Sequence, residues 1–480
     1  MTNNYKKIVI IGAGVAGLAF ANNLIKNNDN YNITIIEKDK DIGGCHKVHR
    51  KNLNGEKYFC EHGPRIYLNN YINFICLLKQ MKLNFSDIFI KYKFSFLNIS
   101  NHLIFTEKIF GFYELLIITR DFLFTIFSKS YGINISMLDY MKLNNFSNQT
   151  ISYIDGFCRS FDGGDSSRIS LNQFINVSIE CLLYSIYIPK LPNDEGLFKY
   201  WKKYLIDNKV KFIIDNGVSK IIHDEENKKI KKVILNNGNE IEGDLFIMAL
   251  PPENIISIAP NTFGNLINQD FVNKTKYNDY ISITFHWDYD IEINKDVFGL
   301  NTKTDWGLLV MILSHYMKFK ESSSKSVISC GIVLTDVKDK FLNKTANECN
   351  EKELIDAVYK QLLSVFKNLP KPKLYFINNY YDENEKKWKS NEKAFIKVPN
   401  IDYIDFKSPI YNNLYNLGTH NGKHKNSFTS LESAISNAIK LNNIIFNKKN
   451  KIKRCFDLRD LLIVILAIII VLLLIRYING

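Results

Sequence analysis

The stretch Lys6–Gly44, KKIVIIGAGVAGLAFANNLIKNNDNYNITIIEKDKDIGG, decides the fold of this 480-residue chain. An apolar run leads into a G-x-G-x-x-G turn, an apolar helix-forming stretch and a second apolar run that ends in an acid. In this pattern Gly12 permits a tight turn, Gly14 lets backbone approach a pyrophosphate, and Gly17 lets the helix pack on the strand. The helix N-terminus then holds the anion. The stretch predicts a strand–turn–helix–strand unit that binds a dinucleotide.

The acid at the end of the second run refines this prediction. Glu37 follows Gly17 by 20 residues, the spacing at which a carboxylate accepts hydrogen bonds from the ribose hydroxyls. The same carboxylate would repel a 2′-phosphate, so a cofactor without that phosphate is favoured. A single G-x-G-x-x-G is a weak motif, and a strand–turn–helix that binds nothing is the alternative interpretation.

A second glycine pair makes the interpretation more specific. Gly43 and Gly44 follow six residues after Glu37 and would let another loop close over the pyrophosphate. This extension resembles the flavin-containing amine oxidase superfamily, which also includes the phytoene desaturases and protoporphyrinogen oxidases. The resemblance implies FAD as the cofactor. It implies noncovalent binding, because no cysteine lies near the C-terminal motif.

Four further blocks carry the resemblance along most of the chain. In order, they resemble the backbone turn at the isoalloxazine, the helical opening of the substrate domain, the return to the flavin domain, and the C-terminal motif that closes on the ribityl and pyrimidine. The blocks are Tyr58–Tyr67, Ser136–Cys158, Pro189–His223 continued by Val233–Pro252, and Ala394–Leu441.

Carried over position by position, the motif and the resemblance imply one cofactor site. In relatives, the valine that corresponds to Val218 offers its backbone to the adenine. The expected cofactor-binding residues are Gly12, Ala13, Gly14, Val15, Ala16, Gly17, Glu37, Lys38, Gly43, Gly44, Cys45, Gly63, Pro64, Arg65, Val218, Gly418, Thr419 and Leu431.

Several positions depart from the family pattern. Cys45 stands where the family has an arginine, Leu417 where it has an alanine, and Thr419-His420 where it has an acid. These departures predict weaker FAD binding or a changed redox potential. Ser430 replaces the aromatic residue that walls the amine site in amine oxidases, which favours the desaturase and porphyrinogen branches.

No catalytic residue is assigned, because hydride transfer to a flavin needs no obligatory acid or base. Arg65 is expected to hold a substrate carboxylate or the flavin pyrimidine, or else to form a surface ion pair.

Trp306, in the strand-like segment Thr302–Asp336, either faces substrate or packs in a core. The charged stretch either rims a substrate entrance or is a solvated loop; it comprises Asp155, Arg159, Asp162, Asp165 and Arg168.

No metal site is predicted. His46, His49 and His62 lie near the cofactor turns, but their spacing does not match a metal-binding motif and no cysteine completes a set. The eight cysteines contain no C-x-x-C pair and follow no signal peptide, which indicates free thiols in a reducing compartment.

The net charge of +13 suits an anionic partner, and its distribution favours a membrane over nucleic acid. A basic cluster directly precedes the aliphatic run Leu461–Ile475, which covers about 22 Å as a helix against a hydrocarbon core of about 30 Å. Arg476 can snorkel and Tyr477 can lie at the interface. The positive-inside rule then leaves the body in the cytosol, held by a C-terminal anchor. The cluster is Lys448, Lys449, Lys451, Lys453, Arg454 and Arg459.

We therefore predict an α/β chain in which an α+β substrate domain is inserted into a discontinuous Rossmann-like FAD domain. The expected function is oxidation of an apolar or amphipathic small molecule, with electrons passing to FAD and then to oxygen or another acceptor. A flavin-dependent isomerase and a degenerate, membrane-attached FAD-binding protein are the alternatives. The predicted boundaries are 5–80, 203–260 and 405–446 for the FAD domain, 81–202 and 261–404 for the substrate domain, 447–460 for a basic linker and 461–478 for the transmembrane anchor.

Overall fold

The structure is a computed structural model of the chain. It describes residues 6–26, 31–61, 63, 65–92, 110–128, 130–182, 184–275, 277, 280–293, 299–300, 304–422 and 429–479. Pro64 and His62 of the sequence predictions lie outside these residues.

The described helices and strands alternate in the N-terminal part of the chain and end in one long helix. The strands are β1 (Lys7–Ile11), β2 (Asn32–Ile36), β3 (His49–Leu53), β4 (Glu56–Cys60), β5 (Tyr67–Leu68), β6 (Phe89–Lys91), β7 (Ile186–Pro189), β8 (Lys211–Ile213), β9 (Val218–Asp224), β10 (Lys229–Leu235), β11 (Glu240–Glu242), β12 (Leu245–Met248), β13 (Ile281–Trp287), β14 (Gly299–Leu300), β15 (Leu309–Ile312), β16 (Ser326–Ile332), β17 (Leu374–Ile377), β18 (Asn379–Asp382), β19 (Lys387–Ser390) and β20 (Leu414–Asn416). The helices are α1 (Val15–Lys26), α2 (Ile72–Gln80), α3 (Phe85–Ile88), α4 (Phe112–Phe127), α5 (Met137–Leu143), α6 (Asn148–Asp162), α7 (Leu171–Leu182), α8 (Leu197–Asp207), α9 (Pro252–Ile258), α10 (Gln269–Thr275), α11 (Glu351–Val365), α12 (Leu431–Phe446) and α13 (Leu458–Asn479).

A five-stranded parallel sheet in the order β20-β12-β1-β2-β8 carries the N-terminal motif. Its strands come from three separated stretches of the chain, which assembles the sheet discontinuously. Ile8 and Ile10 of β1 pack with α1 and α12 on one face. Val9 and Ile11 pack on the other, toward the antiparallel sheet β11-β10-β9. A parallel strand that is buried on both faces has a continuous run of apolar residues. This is why the sequence KIVII could be recognised as such a strand.

Helix α8 belongs to the core of the parallel sheet. Phe198 and Trp201 are fully buried there, together with residues of α1 and α2. The predicted boundary between residues 202 and 203 falls inside this helix. The division into domains otherwise stays a prediction.

A second core lies around the antiparallel sheet β14-β15-β16-β13-β17 and helix α11. Within the segment expected to form alternating strands, β15 and β16 do pair antiparallel, whereas Asp305–Gly307 form a turn. Trp306 is fully buried in this core and donates from Nε1 to the Val337 carbonyl at 3.0 Å. Of the two interpretations of Trp306, core packing is the one observed.

The charged stretch after Ser147 is largely helical. Asp155 and Arg159 lie on α6, where Arg159 bonds Asp155 at 2.8 Å and reaches Asp336 at 3.1 Å. The interpretation of this stretch as a solvated loop is therefore wrong for its first half. The ion pairs tie α6 to the loop that follows β16.

The C-terminal helix α13 is apolar and exposed. Residues Leu458–Ile478 have a mean hydropathy of 3.3 over their most apolar window, none of which is buried, and by length and composition they could cross a membrane. The helix begins before the aliphatic run, so its 22 residues span about 33 Å instead of the 22 Å expected.

The preceding linker is less basic than predicted. Arg454 pairs with Asp457 at 2.9 Å and also with Asp460, two acids that the charge argument left out. Lys453 is held by its backbone, since its N–H donates to Asn73 Oδ1 and its carbonyl accepts from Asn73 Nδ2, both at 2.9 Å. The linker is thereby fixed to α2.

Candidate cofactor site

A cavity of about 330 Å³ opens at the carboxyl ends of the parallel strands. In open α/β sheets this edge is where ligands bind. Its wall is built from both glycine turns, the end of β2, the start of β9, the β12–α9 connection, the segment after β19 and the N-terminus of α12. Elements far apart in sequence thus converge on one space.

The first two glycine turns touch each other at the cavity floor. Gly12 has φ +105°, and a Cβ there would lie 2.5 Å from the Ala249 carbonyl oxygen. The Gly43 N–H donates to the Ala13 carbonyl at 2.9 Å, and a Cβ on Gly44 would approach Gly14 Cα to 3.0 Å. Only glycine fits these close approaches.

Gly14 differs from its neighbours. A Cβ at this position would meet only Gly44 Cα, at an ordinary 3.7 Å, although the residue lines the cavity. The packing of the protein itself therefore does not demand glycine there. The open space lies at the N-terminus of α1, whose backbone N–H groups and dipole attract anions.

Glu37 is held with its carboxylate at the cavity wall. Oε2 accepts from the Ala13 N–H at 2.8 Å and Oε1 from the Asp39 N–H at 3.1 Å, and the residue is 8% exposed. Each oxygen keeps a lone pair for a ligand hydroxyl. This geometry fits recognition of a ribose diol.

Lysines surround the neighbouring acid. Burial by itself would raise the pKa of Asp39, but Lys47 and Lys38 bind its carboxylate and hold that pKa below its usual value. Val218 and Gly217 close this end of the cavity, and a Cβ on Gly217 would lie 3.0 Å from the Lys38 Cβ. This end therefore carries fixed, mutually paired charges.

Three titratable side chains of the cavity wall are uncharged. Burial lowers the pKa of His46 to about 3 and that of His420 to about 3, so both imidazoles are neutral. Burial also raises the pKa of the Cys45 thiol, which stays protonated. Where the family has an arginine, this chain presents an uncharged sulfur.

The C-terminal motif closes the cavity from above. Gly418 donates its N–H to Asn421 Oδ1 at 2.9 Å, and its carbonyl accepts from Asn437 Nδ2 of α12 at 2.6 Å. Ser430 caps α12, its Oγ accepting from the Ser433 N–H at 3.2 Å. A second helix N-terminus therefore points at the same space as α1, as the expected helix start near Ser430 required.

Most of the predicted cofactor residues meet in this one cavity. Ala13 and Gly17 lie beneath the wall instead of in it, and a Cβ on Gly17 would come within 2.2 Å of the Gly12 carbonyl oxygen. Those in the wall are Gly12, Gly14, Val15, Ala16, Glu37, Lys38, Gly43, Gly44, Cys45, Val218, Gly418, Thr419 and Leu431.

Arg65 and Gly63 lie outside the cavity wall. The Arg65 side chain is half-buried, and its Nε and one Nη have no hydrogen-bond partner among the described residues. Burial would lower the pKa of this guanidinium, but Tyr280, Glu61 and Cys45 more than offset that and raise it. The surface ion pair offered as an alternative is therefore wrong.

Sequence reasoning missed one wall of the cavity. Tyr277 and Asn391–Lys393 line it and belong to none of the sequence blocks, whereas Ala394 and Phe395 open the fourth block but were not among the expected cofactor residues. Phe395 packs edge-on against His420, with ring centroids 6.2 Å apart. Only the tertiary fold brings this segment to the site. His49, by contrast, is paired with Glu392, and no group of acids, histidines and cysteines suited to a metal occurs within the described part of the chain.

Comparison with known proteins agrees with this geometry. A family model described as an NAD(P)-binding Rossmann-like domain matches residues 10–80. A search of curated proteins gave no match. Among solved structures, putrescine oxidase bound to putrescine is 13% identical with a TM-score of 0.66, covering 92% of this chain and 99% of that one.

Two further structures have the same coverage, 92% of this chain and 99% of theirs. They are cyclohexylamine oxidase from Brevibacterium oxydans IH-35A, 13% identical with a TM-score of 0.63, and an Exiguobacterium sp. 255-15 protein assigned as a protoporphyrinogen oxidase, 14% identical with a TM-score of 0.63.

The chain has the amine oxidase fold. The resemblance seen in the sequence blocks is thereby confirmed at the level of architecture, over nearly the whole chain. At such identities the fold says nothing about substrate, so it does not test the preference for the desaturase and porphyrinogen branches over the amine oxidases.

Proposed function

We propose that this protein is an FAD-dependent oxidoreductase that oxidises an apolar or amphipathic small molecule and is anchored in a membrane by α13. This proposal rests mainly on the cavity in which two glycine turns, the Glu37 carboxylate and the N-termini of α1 and α12 converge. Its occurrence within an oxidase architecture supports a flavin rather than a nicotinamide cofactor.

Different residues of the cavity would bind different parts of the cofactor. Glu37 would accept from the ribose hydroxyls, and the Val218 backbone would meet the adenine. The space beside Gly14, at the start of α1, would take the diphosphate. Gly418 and Thr419, with the N-terminus of α12, would hold the ribityl and pyrimidine end.

FAD, when bound, supplies the acceptor for a hydride. The contribution of the chain is to hold the donor carbon over the ring and to exclude water. The wall there offers Tyr277 and Phe395, the uncharged side chains of Cys45, His46 and His420, and two charged residues, Glu392 and Lys393.

Noncovalent attachment needs its own test, because Cys45 and His46 both line the cavity. Burial keeps the Cys45 thiol protonated, which disfavours a thioether link, whereas a neutral His46 keeps a nucleophilic nitrogen and makes the test necessary. We expect purified protein to be yellow and to release its colour into the supernatant on acid precipitation. Colour retained in the pellet would contradict noncovalent binding.

The reaction itself is tested by anaerobic bleaching of the visible flavin bands. Amines, porphyrinogens and apolar lipids are offered in turn to the full-length protein in mild detergent. Bleaching by one class identifies an oxidase or dehydrogenase and its substrate class. Stable flavin bands with every class would favour the isomerase alternative, and protein without flavin bands would favour the degenerate one.

A further inference from the structure

Helix α4 has its polarity reversed relative to a surface helix of a water-soluble protein. Such helices bury an apolar stripe and expose charge. Three of the four buried residues of α4 are instead polar, namely Glu114, Asp121 and Thr125, and the fourth is Ile117. Ile118, Phe122 and Ile126 pack half-buried against the same core as Ile117. The outward positions of α4 carry large apolar side chains.

The exposed side chains form one continuous face. At 100° per residue the outward positions fall within about a third of the helix circumference. The two ends of the face are its most exposed points, with Phe112 at 79% and Phe127 at 76%. Arg120 is the one charged residue of the face, and it is bound to its neighbour Asp121. The apolar members are Phe112, Tyr113, Leu116, Leu123, Phe124 and Phe127.

Hydrogen bonds on the inward side fix the rotation of the helix. Asp121 accepts from the Tyr131 hydroxyl at 2.8 Å and the Tyr140 hydroxyl at 2.5 Å. Glu114 accepts from the Ser147 N–H at 2.5 Å and the Thr150 hydroxyl at 2.8 Å. Turning α4 to hide its apolar face would break these bonds and leave the buried hydroxyls of Tyr140 and Thr150 without these acceptors, a costly state. The apolar face is thus held outward.

The same helical unit carries the start of α13. Helix α7 packs against both α4 and α13. Leu458, the first residue of α13, packs against the core that Ile117 of α4 helps to form. Arg459 is bonded to Asn176 of α7. The exposed apolar surfaces of α4 and α13 are therefore both continuous with one small core.

We propose that the outward face of α4 lies in the interfacial layer of the same bilayer that α13 enters. Large exposed apolar patches mark protein or membrane contacts, and continuity with α13 favours lipid. A helix with one strongly apolar face can lie in the plane of a membrane with that face buried in the headgroup and acyl boundary. The contact rests on the proposed anchor, and it would hold the helical unit on the membrane surface.

Tryptophan fluorescence in full-length protein tests this contact. The four native tryptophans are all buried, so a tryptophan placed on the surface reports separately in a difference spectrum against wild type. Phe127→Trp and Phe112→Trp report from the two ends of the face. Leu472→Trp reports from α13, and Tyr200→Trp on α8 is the matched control on the body. The native residues are Trp201, Trp287, Trp306 and Trp388.

Each variant is reconstituted into phosphatidylcholine vesicles with and without bromine on the acyl chains. We expect the Phe127→Trp, Phe112→Trp and Leu472→Trp emissions to shift to the blue and to lose most of their intensity in brominated lipid. The Tyr200→Trp emission should do neither. Equal flavin content in all four variants shows that each is folded, and two positions on α4 guard against one failing.

The outcomes separate the two proposals. Quenching at Leu472→Trp without quenching at either α4 position would overturn the α4 contact and leave the anchor. Absence of quenching at all three would overturn the anchor as well. A blue shift at α4 that grows with protein concentration and ignores bromine would assign the face to a second copy of the chain, and so would also overturn the lipid contact.

Discussion

Helices α1 and α13 are both strongly apolar, yet one is buried on nearly every face and the other on none. Side-chain size separates them. Helix α1 presents Ala16, Gly17, Ala19 and Ala21, which let it approach both β1 and α12 closely. The aliphatic run Leu461–Ile475 of α13 consists of Leu, Ile and Val around the single Ala467. A high apolar content predicts that a helix is shielded from water. Small residues predict that the shielding comes from packing against other parts of the protein.

The largest expected difference comes from enlarging one small residue in each helix, Gly17 in α1 and Ala467 in α13. Gly17→Val would force a Cβ to within 2.2 Å of the Gly12 carbonyl oxygen, so it should cost about 3 kcal/mol of unfolding free energy or more. Ala467→Val should change the thermal unfolding midpoint little, because Ala467 is exposed. Equal changes in the thermal unfolding midpoint for the two substitutions would contradict this contrast between α1 and α13.

A charge placed in α13 tests the membrane half of this comparison. Ile469→Lys puts a lysine near the middle of the helix, where it opposes insertion by about 2.5–3.5 kcal/mol. We expect protein that resists alkaline extraction to become extractable, with unchanged flavin content and unfolding midpoint. Ile469→Val is the control. An Ile469→Lys protein that still resisted extraction would refute α13 as the main anchor.

Buried histidine gives the cofactor region a pH dependence. Folded His420 binds its proton only below about pH 3, whereas the unfolded chain binds it below the ordinary value near 6.5. The unfolded state thus holds more protons between these values, and the free energy of unfolding decreases as the pH falls through this window. The His420 contribution is about 2 kcal/mol between pH 7 and pH 5.

Denaturant unfolding at both pH values measures this difference. The His420→Gln variant keeps an amide that can bond Asn416 Oδ1, the present partner of the ring at 3.0 Å. Its stability should depend less on pH than that of wild type. The same pH slope in both proteins would show that the imidazole is not buried in neutral form.

The smallest effect concerns the cap of α12, the helix against which α1 packs. Ser430→Ala removes the hydroxyl that accepts from the Ser433 N–H, so it should cost about 1 kcal/mol of unfolding free energy. Ser430→Thr keeps an acceptor and should remain close to wild type. A destabilisation equal in both variants would point to lost packing, not to a lost cap.

The sequence was most informative where one short segment contains both the motif and its structural cause. The glycines of Lys6–Gly44 need backbone proximity at fixed spacings, so their roles could be read directly. The contribution of Asn391–Lys393 could not, because nothing in the local sequence marks residues that reach the cavity only through the tertiary fold. For Arg65 only the alternative of a surface ion pair is wrong, since its half-burial and its electrostatic interaction with Tyr280 arise from the tertiary fold. A contact of Arg65 with substrate or flavin stays a prediction.

The membrane-facing part shows a different limit. The apolar run of α13 was visible, but counting only cations overlooked Asp457 and Asp460, which pair with Arg454. The buried carboxylate on α4 became evident only once Tyr131 and Tyr140 were seen to donate to Asp121. Burial of polar groups depends on tertiary partners that periodicity does not reveal.

The flavin content of Gly14→Val tests the central claim most directly. The packing of the protein offers this Cβ only one ordinary contact, so the variant should fold, yet its side chain would fill the space proposed for the diphosphate. Gly156→Val on α6, where a Cβ meets nothing within 4 Å, is the matched control. The account predicts equimolar FAD in wild type and Gly156→Val, and folded but colourless Gly14→Val. Equimolar FAD in Gly14→Val, or none in folded wild type, would contradict it.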